Sequence, residues 1–151
     1  MDHSNEKLTA TLLHLSSLTQ YFIPFGNFLF PIIIWSSKKD ESEFVDDNGK
    51  QTLNFQLSLF IYTIALCLIA IPIFIFSFLK NVPIKNYHNS EDFFIENFSI
   101  GNITGIAILG VLAVVVFLFL KIIEFILIIN AAVKTSNGEK YKYPMSFPFF
   151  K

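Results

Sequence analysis

Three long stretches of the chain carry no charged residue. Leu8 to Ser37 is 30 residues, Thr52 to Leu79 is 28 and Asn97 to Leu120 is 24. A bilayer-crossing helix needs roughly 20 predominantly apolar residues, so each stretch is long enough. Core helices of soluble domains are rarely so long and so apolar on every side. The pattern predicts an all-α integral membrane protein, read as a single membrane domain over 1–151. It is a small bundle of about four helices: a short broken hairpin over 8–37 and two long spans over 51–79 and 103–134.

The first stretch, "LTATLLHLSSLTQYFIPFGNFLFPIIIW", is interrupted. Pro24 and Pro31 each remove a helix hydrogen bond, and "PFGN" is a breaker cluster. Two short helices are expected, over about 8–23 and 27–37. At 1.5 Å per residue they are roughly 24 Å and 16 Å long, short of a ~30 Å hydrocarbon core. They make a re-entrant hairpin or one kinked crossing. Backbone freed at such depth needs protein partners, so the breaker, with Asn27 in it, is expected to pack against the other helices.

Polar segments separate the apolar ones. The knot over 38–50 ends in "FVDDNGKQTLNF", where Asp46 or Asp47 is suited to cap the next helix. Pro72 is placed to kink that helix near its far end. The segment 80–102 reads as a polar external loop, with Asn97 and Asn102 in weak glycosylation sequons. "SNG" at 136–138 ends the last helix, with Gly138 suited to a left-handed cap. The tail over 135–151 alternates lysines with aromatics, the composition of an interfacial segment. Lysines concentrate in 38–50 and in the C-terminal region. The positive-inside rule therefore places both on the cytoplasmic side of a multi-pass protein, with 80–102 outside.

Composition agrees with this reading. The hydrophobic fraction is 53% against 15% charged, where a soluble domain has about 25% charged. A net charge of −1 without a basic patch excludes nucleic acid as a partner. Cys67 is the single cysteine, so there is no internal disulfide and no cysteine metal cluster. It lies mid-span, as a small apolar filler. The opening "MDHSNEK" is mixed in charge and precedes no small-residue cleavage site, so the first apolar segment is expected to be retained.

The polar residues inside apolar segments are the candidate chemistry. His14, Ser17 and Tyr21 share one helical face, with Ser16 and Gln20 at its edge. Gln51, Asn54, Ser58 and Tyr62 follow the same spacing on the next long helix. Asn27, Asp46 and Gln56 complete the polar set. Two readings stand: a polar path or cleft between the helices, and interhelical hydrogen bonds worth ~1 kcal/mol each. Lys121 and Glu124, three residues apart, are spaced to pair. They are either an intramembrane charged pair with a function or an interfacial pair whose lysine snorkels. No nucleophile motif, phosphate-binding glycine loop or metal-ligand spacing occurs, so no catalytic residue, metal or cofactor is expected.

Three stretches carry a resemblance: "LLHLSSLTQYFIPFGNFLFPIIIW", "KKDESEFVDDNGKQTLNFQLS" and "NAAVKTSNGEKYKYPMSFPFFK". The sequence resembles the small bacterial membrane proteins of domain of unknown function 4870. Those are similar to the twenty-kilodalton component of the chloroplast inner-envelope import machinery. The resemblance implies a four-helix module with both termini cytoplasmic and, by analogy alone, a role in protein translocation or complex assembly. The expectation is a non-enzymatic subunit or accessory of a larger membrane protein complex, with the lipid bilayer and other membrane proteins as partners. The alternative is a small channel or transporter for an ion or small solute along the His14–Asn54 face.

Overall fold

A computed structural model describes residues 2–81 and 100–151. It is all-helical there, with four α-helices. α1 is His3–Ser16, α2 is Gly26–Lys38, α3 is Glu43–Asn81 and α4 is Ile100–Ser136, and a 3₁₀ turn at Ser17–Tyr21 follows α1. The tail after α4 is extended. The 80–102 segment and the Asn97 sequon lie outside the described residues, save the helical ends at 80–81 and 100–102. α3 and α4 are long and apolar enough to cross a membrane, over Glu43–Phe76 and Ile108–Ser136. α1 and α2, with 14 and 13 residues, are about 20 Å long and too short to do so.

The first helix starts and stops earlier than its apolar pattern predicts. The reason for the early stop is local. The hydroxyl of Ser16 donates to the Leu13 carbonyl at 2.8 Å and that of Thr19 to the Ser16 carbonyl at 2.6 Å. Such side-chain bonds compete with the α-helical ladder, and the chain tightens into the 3₁₀ turn. Reversal falls on Phe25, whose φ of 61 is left-handed. Gly26 supplies close approach instead: a Cβ there would stand 2.8 Å from the Thr19 carbonyl carbon.

α3 begins at Glu43, before both aspartates, so Asp46 and Asp47 do not cap it. Ser42 does: its hydroxyl accepts from the Val45 N–H at 3.4 Å. Asp46 is turned to another use. It accepts from the Trp35 indole N–H at 2.8 Å and pairs with Lys50 at 2.7 Å, tying α2 to α3. Gly49 makes room, since a Cβ there would lie 2.2 Å from the indole ring. α3 runs on through Pro72 to Asn81. α4 ends at Ser136 and is closed by Gly138, with φ 86, its N–H bonded to the Thr135 carbonyl and that of Glu139 to the Lys134 carbonyl.

The chain divides into two compact units, Met1–Tyr62 with Lys121–Lys151, and Thr63–Leu120. The first has a core built from Leu13, Val45, Leu53, Phe55, Ile128, Ala131 and Tyr143. The second consists, among the described residues, of the adjoining parts of α3 and α4. None of its described side chains is buried, and its surface is Ile, Leu, Val and Phe, with Cys67 exposed among them.

Candidate functional site

The first unit buries an unusual number of polar side chains: His14, Ser17, Asn48, Thr52, Asn54, Gln56, Ser58, Glu124 and Thr135. Buried polar groups are costly unless hydrogen-bonded, so their partners define what the unit is built to do. They fall into three sets.

The first set surrounds His14. The Asn48 amide nitrogen donates to the Phe44 carbonyl at 2.8 Å, which turns its oxygen to the imidazole. His14 Nε2–H therefore donates to Asn48 Oδ1 at 3.0 Å. Nδ1 is left as an acceptor and takes the Tyr143 hydroxyl at 3.0 Å. The Thr52 hydroxyl, which donates to the Asn48 carbonyl, lies 2.9 Å from the same nitrogen. Thr135 closes the network on Asn48 Oδ1 at 3.3 Å. One cluster thus joins α1, α3, α4 and the tail. Every partner is neutral, and burial lowers the His14 pKa to about 4, with the Asn48 bond opposing that shift. Burial also pushes the Tyr143 phenol well above its ordinary value. Its ring stacks flat on Phe55, centroids 4.0 Å apart.

The second set is the polar stripe of α3, and its partner is the chain's own tail. Lys140 pairs with Asp47, whose bond raises the ammonium pKa. The Tyr62 hydroxyl donates to the Met145 carbonyl at 2.9 Å. Met145 reverses the chain with a φ of 60. On the return, Ser58 accepts from the Phe147 N–H at 2.8 Å. Asn54 Oδ1 accepts from the N–H groups of Phe149 at 3.0 Å and Phe150 at 2.8 Å, while its Nδ2 donates to the Phe150 carbonyl at 3.0 Å. Phe150 meets Trp35 edge-on, centroids 5.6 Å apart.

The third set lies between the hairpin and the long helices. Asn27 Nδ2 donates to Gln56 Oε1 at 2.8 Å. Of the α3 amides Gln51, Asn54 and Gln56, it is Gln56 that bonds to the hairpin. It reaches a side chain and not the freed backbone, and Asn54 serves the tail. Gln56 Nε2 and the Ser17 hydroxyl are buried with no protein partner among the described residues. Lys121 and Glu124 are paired at 2.8 Å, and Gln20 completes a ring: its amide nitrogen donates to Glu124 Oε1 at 2.7 Å and its oxygen accepts from Lys121 at 3.0 Å. Glu124 is 3% exposed and Lys121 33%.

The sequence-derived residues are therefore not one cleft. His14 sits in its cage, Asn54 clamps the tail, Asn27 and Gln56 join α2 to α3, and Asp46 binds Trp35. Gln51 lines a surface cleft with Asp47, Asn48, Lys140, Tyr141 and Lys142. The His14–Asn54 face is filled by Tyr143 and the tail, which removes the space a polar path would need. Tyr21, expected beside His14, is half-exposed because the 3₁₀ turn rotates it away. Sequence reasoning missed Asn48, Thr52, Thr135 and Tyr143, and it placed Gln20 at the edge of the His14 face, not beside Lys121 and Glu124. The i, i+4 spacing of Asn48 and Thr52, one turn before the noted stripe, was the available signal.

A model of the family described as the magnetosome magnetite crystal formation protein family (MamF/MmsF) matches residues 5–150. No curated protein and no solved structure matches the chain. The family match overturns the resemblance to domain of unknown function 4870 and to the chloroplast import component, and the translocation role that rested on it falls too.

Two outcomes follow from this geometry. The unfolded chain protonates His14 near 6.5 and the folded one near 4. As pH falls from about 6.5, the unfolded state gains a proton that the native state refuses, so stability drops, by about 3 kcal/mol at pH 4. Thermal midpoints of wild type and His14→Gln between pH 7 and 4 should converge as the pH falls; parallel curves would contradict the cage. In the second, Lys121→Met should destabilise by about 3 kcal/mol because Glu124 stays buried and unpaired. Glu124→Gln should cost about 1 kcal/mol, since Lys121 can turn to water. The double variant should melt above Lys121→Met, and additive losses would refute the pairing.

Proposed function

Because the chain belongs to the magnetosome magnetite crystal formation protein family, we propose that it is a non-enzymatic integral component of the magnetosome membrane. There it supports magnetite crystal formation as a subunit or accessory of a larger protein complex. The observation that carries the membrane part is the Thr63–Leu120 unit. Its described side chains cover no core of their own, and large apolar groups such as Leu68, Phe76, Val111 and Phe119 are exposed along two helices of spanning length. Water would penalise that surface by about 25 cal/mol per Å², whereas a bilayer accepts it.

The lysines of 38–50 and of the C-terminal region support an orientation with both termini and 38–50 on the cytoplasmic side and the segment between α3 and α4 opposite. The non-catalytic part is supported by how its polar groups are used. His14, Asn48, Thr52, Asn54, Ser58 and Glu124 bond to one another, to Gln20 or to the tail, and none is left aimed at a reacting group. Exposed Phe22, Phe25 and Ile33 on the hairpin offer contact area to lipid or to partner helices.

The test is made in a magnetite-forming bacterium whose own copy is deleted. A tagged chain should stay with the membrane through carbonate extraction and restore crystal size by electron microscopy. In a Cys67→Ser background, cysteine at Ser90 should be shielded from a reagent confined to the cytoplasm and cysteine at the exposed Asp40 should react. A carbonate-soluble chain, or crystals indifferent to its loss, would overturn the proposal.

A further inference from the structure

The cleft between the start of α3 and the tail has a volume of about 260 Å³ and is lined by Asp47, Asn48, Gln51, Lys140, Tyr141 and Lys142. Most of these groups are already spent. Asn48 is bonded on both atoms of its amide. Asp47 is neutralised by Lys140, which Glu43 also approaches at 3.9 Å. Tyr141 faces Lys134 across its ring at 6.0 Å. Two groups remain. The Lys142 ammonium and the Gln51 side-chain amide have no polar partner among the described residues, and both line the cleft. The lining carries two ammonium groups against one carboxylate, with the Glu43 carboxylate outside it against Lys140, so the charge left over in the cleft is that of Lys142.

We propose that this cleft is an anion site that takes a phosphate group, held by the charge of Lys142 and an N–H of Gln51. Lysine binds phosphate as a point charge, and the paired Asp47 does not oppose it. The amide adds a directed donor that a lone surface lysine lacks. The space exceeds what a halide fills and admits a phosphate with part of an ester. Free inorganic phosphate and a phospholipid headgroup present the same chemistry, and the second source fits a cleft at a membrane face. That lipid source alone rests on the proposed membrane role; the site itself does not.

Amine acetylation read by mass spectrometry tests both sources on the full chain, with Lys151 as the internal reference. In a phosphate-free maltoside detergent, inorganic phosphate at constant ionic strength should slow Lys142 acetylation saturably. In nanodiscs of phosphatidylglycerol, protection without added phosphate would assign the headgroup. Gln51→Leu should weaken the protection roughly tenfold, the worth of one hydrogen bond to a charged group. Gln51→Glu should abolish it, with thermal midpoints confirming that both variants fold. If Lys142 reacts like Lys151 in every condition, or if its protection is unchanged in both Gln51 variants, the site does not exist.

Discussion

Asn54 is buried on α3 with a complete amide to satisfy, and the chain satisfies it with its own last residues. The oxygen takes two backbone N–H groups and the nitrogen gives to a backbone carbonyl. All three bonds go to Phe149 and Phe150, and Ser58 and Tyr62 repeat the device at Phe147 and Met145. A side chain left buried without these partners would cost about 1–3 kcal/mol. The tail would carry bare backbone groups against an apolar helix. Each element is therefore the other's solvent. The polar stripe of α3 and the extended tail are intelligible only together.

That dependence reaches the rest of the unit through Tyr143. The tail must lie along α3 for the phenol to enter the core, where it stacks on Phe55 and bonds His14. His14 holds Asn48, and Asn48 holds Thr135 at the end of α4. A fully neutral cage suits a buried imidazole, which needs no counter-ion while uncharged. The Lys121–Glu124–Gln20 ring follows the same rule with charges: an acid this deep is kept because a lysine and an amide close around it.

Much of this was legible in the sequence. Uninterrupted apolar runs marked α3 and α4, the proline and glycine pattern marked the break before α2, and Gly138 marked the end of α4. Helix starts were less legible. Ser42 and the two aspartates all suit a cap, and the Trp35 indole, distant in sequence, decides how Asp46 is used. The stripe Gln51, Asn54, Ser58, Tyr62 was visible, but its partner was not. An extended tail has no helical period, and its lysines and aromatics read as interfacial. Nothing in a one-dimensional pattern tells a helix face that it will be met by backbone from some ninety residues on. The family was misread for a related reason. Apolar runs closed by polar caps are a pattern many helical membrane proteins share, and the full-length match discriminates where three stretches did not.

The central claim is that α3 holds the tail through Asn54. Hydrogen exchange at the Phe149 and Phe150 amides measures this directly, comparing wild type with Asn54→Leu in detergent at neutral pH. The account predicts protected amides in the wild type. In the variant both should exchange at least tenfold faster, reflecting the loss of more than 1.4 kcal/mol of local stability, while amides of the α3 interior stay protected. Equal exchange in the two proteins would show that the tail is held by other means, and the account would be wrong.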